Sequence, residues 1–411
     1  MNFIKTILKS IFSMLLNSIL YIISLFIPKS KKIWIFGGWF GNRFADNSRY
    51  LYLYCNEHKD EIGLDKVIWI TNNYDIYTDL NSKGFEAYKK WSFNSIWYHL
   101  RAKVVFVDQG PTDVNKYFCI RTIKINLWHG FPLKKIGALS KSIDFNMKTV
   151  YDKYFKIGGW SNYYLQSTSD LSKNLLSEAF IVSDNKIFES GYARNDVFTQ
   201  NYWKSYLSNE ENEVIKKINT LKNKGFKIIF YLPTFRDNKD INLLNLKDEK
   251  DIKVLKEFLE NNKILLITKF HFAQNNSDLC DTLHDKILNL ESNTDVYPIL
   301  HYSDILITDY SSVYFDFLIT NKPIVFYPFD LEYYSNENLG RGLIFDYNEF
   351  TPGDKTFNIH QLVSSIEFII NNTSKYCEQY KQQHEKIKMQ VFGENISYGS
   401  YSTIEKVKNL F

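Results

Sequence analysis

A chain of 411 residues and 48.7 kDa has room for two domains, or three. Its composition, 45% hydrophobic and 23% charged, excludes wholesale disorder. Fifty basic against 46 acidic residues leave a net charge of +4, too balanced for a general nucleic-acid binder, whose basic surface would dominate the count.

The first predicted element is the uncharged run IFSMLLNSILYIISLFI over residues 11–27, closed by Pro28. Lys5 and Lys9 precede it and Lys29, Lys31 and Lys32 follow, with no acid in residues 1–32. The remainder of the chain therefore carries 45 basic against 46 acidic residues, and the excess basicity belongs to this segment. PKSKK after the run offers no small-residue cleavage site, which argues against a cleaved signal peptide. A spanning helix needs about 20 apolar residues, and this run has 17 with four polar interruptions. On a helix Thr6, Ser10, Ser13, Asn17 and Ser24 share one stripe, interrupted by Leu16, Leu20 and Ile27. The pattern predicts a helix over residues 1–30 lying in the membrane interface, its lysines at anionic headgroups. A single span and a buried core helix are the competing readings. Either membrane reading puts the positive flanks on the cytosolic side.

From residue 33 onward, short runs rich in Ile, Val and Phe alternate with longer mixed segments. Strands are predicted at Lys32–Phe36, Val67–Thr71, Lys103–Val107, Ile123–Leu127 and Tyr154–Ile157. A second set follows at Lys227–Leu232, Ile264–Lys269, Asp304–Thr308 and Pro323–Tyr327, with helices at 245–262 and 360–372. Alternation of helices with strands apolar on both faces implies parallel sheets. The polar, strand-poor stretch 199–224 divides the series. Two βαβ domains follow, 31–205 and 206–411, with ligands expected beyond the carboxyl ends of the strands and in a cleft between facing domains. The cysteines, Cys55, Cys119, Cys280 and Cys377, are scattered with no CxxC pair, which fits a reducing compartment and neither a zinc site nor a disulfide framework.

Unusual clusters fall where the predicted strands stop. IWIFGGWFGNRFADNSRYLY (33–52) reads as strand, glycine-rich turn and helix, but lacks the GK[ST] of a Walker loop and a full GxGxxG. NLWHGFPLKKIG (126–137) ends a strand at His129, which can take a proton near neutral pH, beside Lys134 and Lys135, which can hold phosphate. A structural histidine in a loop accounts for that cluster equally well. FYLPTFRD (230–237) ends a strand at Pro233-Thr234 and offers Arg236 as a bidentate phosphate clamp or a surface ion pair. ITKFHF (267–272) is another apolar strand, ending in Lys269 and His271. DILITDYSSVYFDF (304–317) finishes a strand at Asp309. Ser311 or Ser312 then caps a helix containing Asp316, so free helix amides and two hydroxyls form a phosphate site or an ordinary cap. KPIVFYPFDLEYY and the glycine-flanked Arg341 of GRG follow. No GxSxG, HExxH or metal-bound acidic cluster is present, which excludes serine hydrolases and zincins.

Taken together, GNRFADNSRYLY, NLWHGFPLKKIG, GYARNDVF (191–198), YLPTFRD, KFHF, ITDYSSVYFDF, KPIVFYPFDLEYY and GRGLIFDY resemble the CDP-glycerol glycerophosphotransferase family of teichoic-acid and capsule enzymes, in order and spacing, over residues 33–354. Phe131, Ala193, Phe235, Lys269 and Phe272 depart from the residues usual in its motifs. The resemblance implies an α/β, GT-B-like fold: two Rossmann-like βαβ domains facing across a cleft, an acceptor-side domain and then a CDP-donor domain, preceded by the membrane-associated helix. It implies transfer of glycerol or ribitol phosphate from CDP-glycerol or CDP-ribitol to a hydroxyl of a lipid-linked or polymer acceptor, with release of CMP.

On that resemblance His129 is the base and His271 its catalytic companion. Pro233, Thr234, Arg236, Lys269, Asp309, Ser311, Ser312 and Asp316 bind the donor, Asp316 as a ribose contact. Gly38, Asn47, Lys134, Lys135 and Arg341 serve the acceptor or its phosphate. Asp309 orients either His271 or the loop. No cofactor or metal is implied, since cationic side chains and helix amides stabilise the leaving CMP. The partners are the membrane surface and these substrates, with no nucleic acid, and the location is the cytoplasmic face of the cell membrane, peripheral or monotopic. A GT-B nucleotide-sugar glycosyltransferase and a non-catalytic membrane-surface adaptor are the rival readings.

Overall fold

The computed structural model describes residues 18–140, 162–234, 243–269, 285–336, 342–394 and 397–410. The chain divides into two compact units. The first comprises 1–129, 142–206 and 395–411, and the second 130–141 and 207–394. Neither is a single continuous stretch: the WHG-x-P motif changes unit after its histidine, and the C-terminal segment returns to the unit in which the chain began.

The first unit is built on a seven-stranded sheet of order β3-β2-β1-β4-β5-β6-β7, in which every pairing is parallel. Its strands are β1 (Ser30–Phe36), β2 (Lys66–Thr71), β3 (Ala87–Lys89), β4 (Ala102–Val107), β5 (Ile123–Asn126), β6 (Tyr164–Ser167) and β7 (Ile187–Glu189). β1 and β4 are central and apolar on both faces. Ile33, Ile35, Val105 and Val107 pack into one buried cluster, while Phe36 and Phe106 stack with ring centroids 4.6 Å apart. Chain order reverses between β1 and β4, so the carboxyl ends of these two strands form the switch point where an open α/β sheet binds ligands.

The second unit repeats the plan with six strands, order β10-β9-β8-β11-β12-β13, again parallel throughout. They are β8 (Lys227–Leu232), β9 (Ile264–Thr268), β10 (Ile287–Asn289), β11 (Ile305–Thr308), β12 (Ile324–Phe326) and β13 (Asp354–Lys355). Helices Glu249–Asn261 and Ile359–Asn371 cover one face, contributing Leu255, Phe258, Leu259, Leu362 and Ile366 to its core. The switch point here lies between β8 and β11.

Eight of the nine expected strands are present within a residue or two, and the ninth, Tyr154–Ile157, lies outside the described residues. The expected N-terminal helix also lies outside them as far as residue 17. Residues 18–25 are helical, with Ile19, Ile22, Leu25 and Phe26 exposed and Ser24 buried. The Ser24 carbonyl accepts Arg121 Nη1 at 2.6 Å, and Lys29 Nζ donates to the His99 carbonyl at 3.2 Å. The polar side of this turn is thereby fastened to the first unit. Among the described residues no helix is long and apolar enough to cross a membrane.

Candidate functional site

The switch point of the first unit is shaped by buried carboxylates. Asp108 follows β4, and its Oδ1 accepts the Ser48 N–H at 3.0 Å. This caps the helix Asp46–Glu57, whose own N-cap residue, Ala45, has no side-chain acceptor. Asp113 accepts N–H bonds from Asp108, Gln109 and Gly110 on Oδ2 and from Phe40 on Oδ1. One side chain therefore ties the loop after β4 to the loop after β1. Burial pushes the Asp108 carboxyl well above the usual range, and the charges of Asp46 and Asp113 add to the shift. Burial likewise raises Asp113, to about 6, against the N–H donors that pull it down. Gly38 lies against Asp108: a Cβ there would stand 2.7 Å from its Oδ2, so a side chain at this position would displace the carboxyl.

His129 stands just beyond β5, where the backbone turns sharply. Trp128 adopts φ 57° and Gly130 φ 140°, the second a value that favours glycine. The turn is gripped from behind. Asn126 Oδ1 accepts the Trp128 N–H at 2.8 Å, and Asn47 Nδ2 donates to the carbonyls of Trp128 at 2.9 Å and Leu127 at 3.4 Å. Arg194 Nη1 donates to the His129 carbonyl at 2.8 Å and to Asp46 Oδ1 at 2.7 Å. The half-buried imidazole lies against the Trp128 ring, centroids 3.8 Å apart, and its Nδ1 faces the Asp108 carbonyl at 3.5 Å. A carbonyl only accepts, so an Nδ1–H directed at it leaves Nε2 as the nitrogen able to take up a proton.

The switch point of the second unit gathers the donor candidates. Asp309 Oδ1 accepts the Thr234 N–H at 2.8 Å and the Tyr310 N–H at 2.5 Å, which draws the PT and DYSS motifs together. Thr308 Oγ1 donates to the Leu232 carbonyl at 2.7 Å beneath them. Half-buried Pro233, Ser311 and Ser312 occupy this same end of the sheet. Ser312 precedes the helix Val313–Phe317 in helical φ/ψ and makes no side-chain cap bond, while Ser311 Oγ accepts the Val313 N–H at a long 3.5 Å. Of the two serines expected to cap this helix, Ser312 does not, and Ser311 makes only this long bond. At the end of β9, Lys269 Nζ donates to the Thr294 carbonyl at 2.6 Å. Asp316, 1% exposed, accepts the Tyr297 hydroxyl at 2.7 Å.

Lys134 and Lys135 belong to the second unit, not to the unit of His129. Lys134 forms an antiparallel bridge with Leu343, and the Lys135 N–H donates to the Gly342 carbonyl at 3.2 Å. Both lysines therefore run beside the residues that follow Arg341. Arg236, His271 and Arg341 themselves lie outside the described residues.

In the first unit the structure unites Gly38, Asn47 and His129, but Asn47 is fully buried with its amide committed to backbone. Asp46, Asp108, Asp113 and Arg194 build the same switch point, and none of them was singled out as a site residue from the sequence. Arg194 had a visible signal, as the basic residue of GYARNDVF. Asp46 lay within GNRFADNSRYLY, whereas Asp108 and Asp113 are indistinguishable in the sequence from ordinary loop aspartates.

Residues 19–394 match the model of the CDP-Glycerol:Poly(glycerophosphate) glycerophosphotransferase family. The chain is 30% identical over 360 residues to a teichoic acid glycerol-phosphate transferase of Staphylococcus aureus, covering 85% of this chain and 87% of that protein. It is also 30% identical over 359 residues to a teichoic acid poly(glycerol phosphate) polymerase of Bacillus spizizenii, with 85% and 86% covered. The solved wall teichoic acid polymerase TagF shares the fold, with a TM-score of 0.69 at 22% identity over 100% of this chain and 99% of that one. The chain belongs to the CDP-glycerol:poly(glycerophosphate) glycerophosphotransferase family.

Proposed function

We propose that this chain transfers glycerol phosphate from CDP-glycerol to a hydroxyl of a teichoic-acid-type acceptor carried on a lipid at the cytoplasmic face of the cell membrane. The acceptor oxygen attacks the glycerol-bearing phosphorus, a P–O bond forms, and the P–O bond to CMP breaks. The hydroxyl proton passes to His129 Nε2, and CMP leaves with the bonding electrons. Thr234, Ser311, Ser312 and Lys269 stand where donor phosphates meet the strand ends of the second unit, and Arg236 and His271 stabilise charge on the leaving group. Asp309, through the Thr234 N–H, holds the end of β8 beside the end of β11.

The carrying observation is His129, held half-buried in a sharp turn at the ligand-binding end of a parallel sheet. The membrane assignment draws support from Ile19, Ile22, Leu25 and Phe26, exposed beside a lysine-rich segment while Ser24 turns inward. The direct test incubates the full chain with CDP-glycerol or CDP-ribitol, with and without a glycerol-phosphate-primed lipid acceptor, and measures CMP. Acceptor-dependent CMP release from CDP-glycerol is expected. Release from CDP-ribitol alone would overturn the choice of glycerol, and release from neither would overturn the reaction.

A further inference from the structure

We propose that Arg194 is a positioning residue for His129: its buried guanidinium, paired with Asp46, fixes the turn that aims the imidazole at the acceptor hydroxyl. The inference rests on the assignment of His129 as the base. Three consecutive carbonyls, of Leu127, Trp128 and His129, are each taken by a donor from Asn47 or Arg194. The two donors are themselves coupled, because the Arg194 N–H donates to Asn47 Oδ1 at 3.1 Å. Asp46 completes the set through its 2.7 Å bond to Arg194 Nη1, and both partners are almost wholly buried.

Such a grip has a purpose at this position. Trp128 is a bulky residue in the left-handed region, a conformation that persists only when its surroundings over-determine it. The φ of Trp128 decides where the next Cα–Cβ bond points, and hence where the His129 ring lies. Releasing the His129 carbonyl frees the turn to relax and moves the ring, although Arg194 is bonded to the backbone and not to the imidazole. An error of about 1 Å in a reacting group costs on the order of 100-fold in rate. A lysine in place of Arg194 has no planar fork to span the carboxylate and the carbonyl at once.

The experiment measures steady-state CMP release from CDP-glycerol by full-length Arg194→Lys, Asp46→Asn and His129→Ala, and by the Arg194→Lys/His129→Ala double variant. Thermal unfolding of each is recorded in parallel. Arg194→Lys is expected to lower kcat about 10- to 100-fold with the KM for CDP-glycerol within about twofold, because the donor candidates lie in the other unit. In the His129→Ala background the same change should have no further effect, since there is no imidazole left to aim. If Arg194→Lys does not fold, Asp46→Asn, which keeps the shape of the side chain but removes the charge opposite Arg194, should reproduce the kcat loss. A wild-type kcat in the folded variants overturns the proposal, as does an additive loss in the double variant or a kcat loss matched by a rise in KM. Near-normal turnover by folded His129→Ala would instead remove the base assignment, whatever Arg194 does.

Discussion

Thr234 and Asp309, 75 residues apart, are joined by a 2.8 Å bond from the threonine N–H to the aspartate Oδ1, and through it the ends of β8 and β11 become one surface. The same oxygen accepts the Tyr310 N–H, and Asp309 is 1% exposed, so water cannot replace it. Asp309→Ala leaves two backbone donors unpaired, each costing about 1–3 kcal/mol. A lower unfolding temperature and weaker CDP-glycerol binding are expected together, with Asp309→Asn recovering much of both through its remaining carbonyl. An alanine variant with wild-type unfolding and affinity would mean that this bond does not organise the donor end.

For His129 the expected result is kinetic. His129→Ala should reduce CMP release by about 100- to 10,000-fold, the usual cost of removing a general base. The affinity for CDP-glycerol should stay near that of the parent. The wild-type rate should fall at acid pH as Nε2 takes up a proton, and the residual rate of the variant should lack that limb. A variant that melts early has lost a structural histidine instead, which a thermal scan of the same sample reveals.

The parts of this architecture that were legible in the sequence are those set by local chemistry. Runs such as IIFYL and ILLI are buried at every position because both faces of a central parallel strand are covered, and such runs read as strands. The edge strands AYK, IFE and DK carry no such run; they exist because a neighbouring strand offers its free N–H and C=O groups. The return of 395–411 to the first unit was equally hidden, since it depends on Asp196 accepting the N–H groups of Gly399 and Ser400, some 200 residues away. His129 was visible as a residue. Asn47 was named as well, but its grip on the turn with Asp46 and Arg194 was not visible, because the three meet it only once the sheet has formed.

The exposed end of the N-terminal segment predicts a membrane phenotype. Replacing Ile22 and Phe26 together by serine removes two side chains that are 57% and 83% exposed, so folding loses little. Partition onto vesicles containing anionic lipid should weaken by roughly 10-fold or more, since burying each large apolar side chain is worth about 1.5–3 kcal/mol. Sedimentation with vesicles at low and high salt measures it. Unchanged sedimentation at both salts would exclude this turn as the contact.

The buried carboxyls of the first unit predict an unusual pH dependence of stability. Asp113 is raised to about 6 and Asp108 is raised well above its ordinary value, in both cases chiefly by burial. A group whose folded pKa lies above its unfolded one binds protons more readily in the native state. Its stabilising contribution is therefore complete below about pH 4 and is lost as the pH rises through the folded pKa, by as much as about 1.4 kcal/mol per pH unit per group. Asp108 is the informative position. Its Oδ1 caps the helix at Ser48, while its buried Oδ2 has no hydrogen-bond partner among the described residues, so Asp108→Asn keeps the cap and removes the titration. Urea midpoints of the parent should fall between pH 5 and pH 8, and those of Asp108→Asn should fall less, the variant gaining on the parent as the pH rises. Parallel midpoint curves for the two proteins would show that Asp108 does not hold its proton in the folded chain.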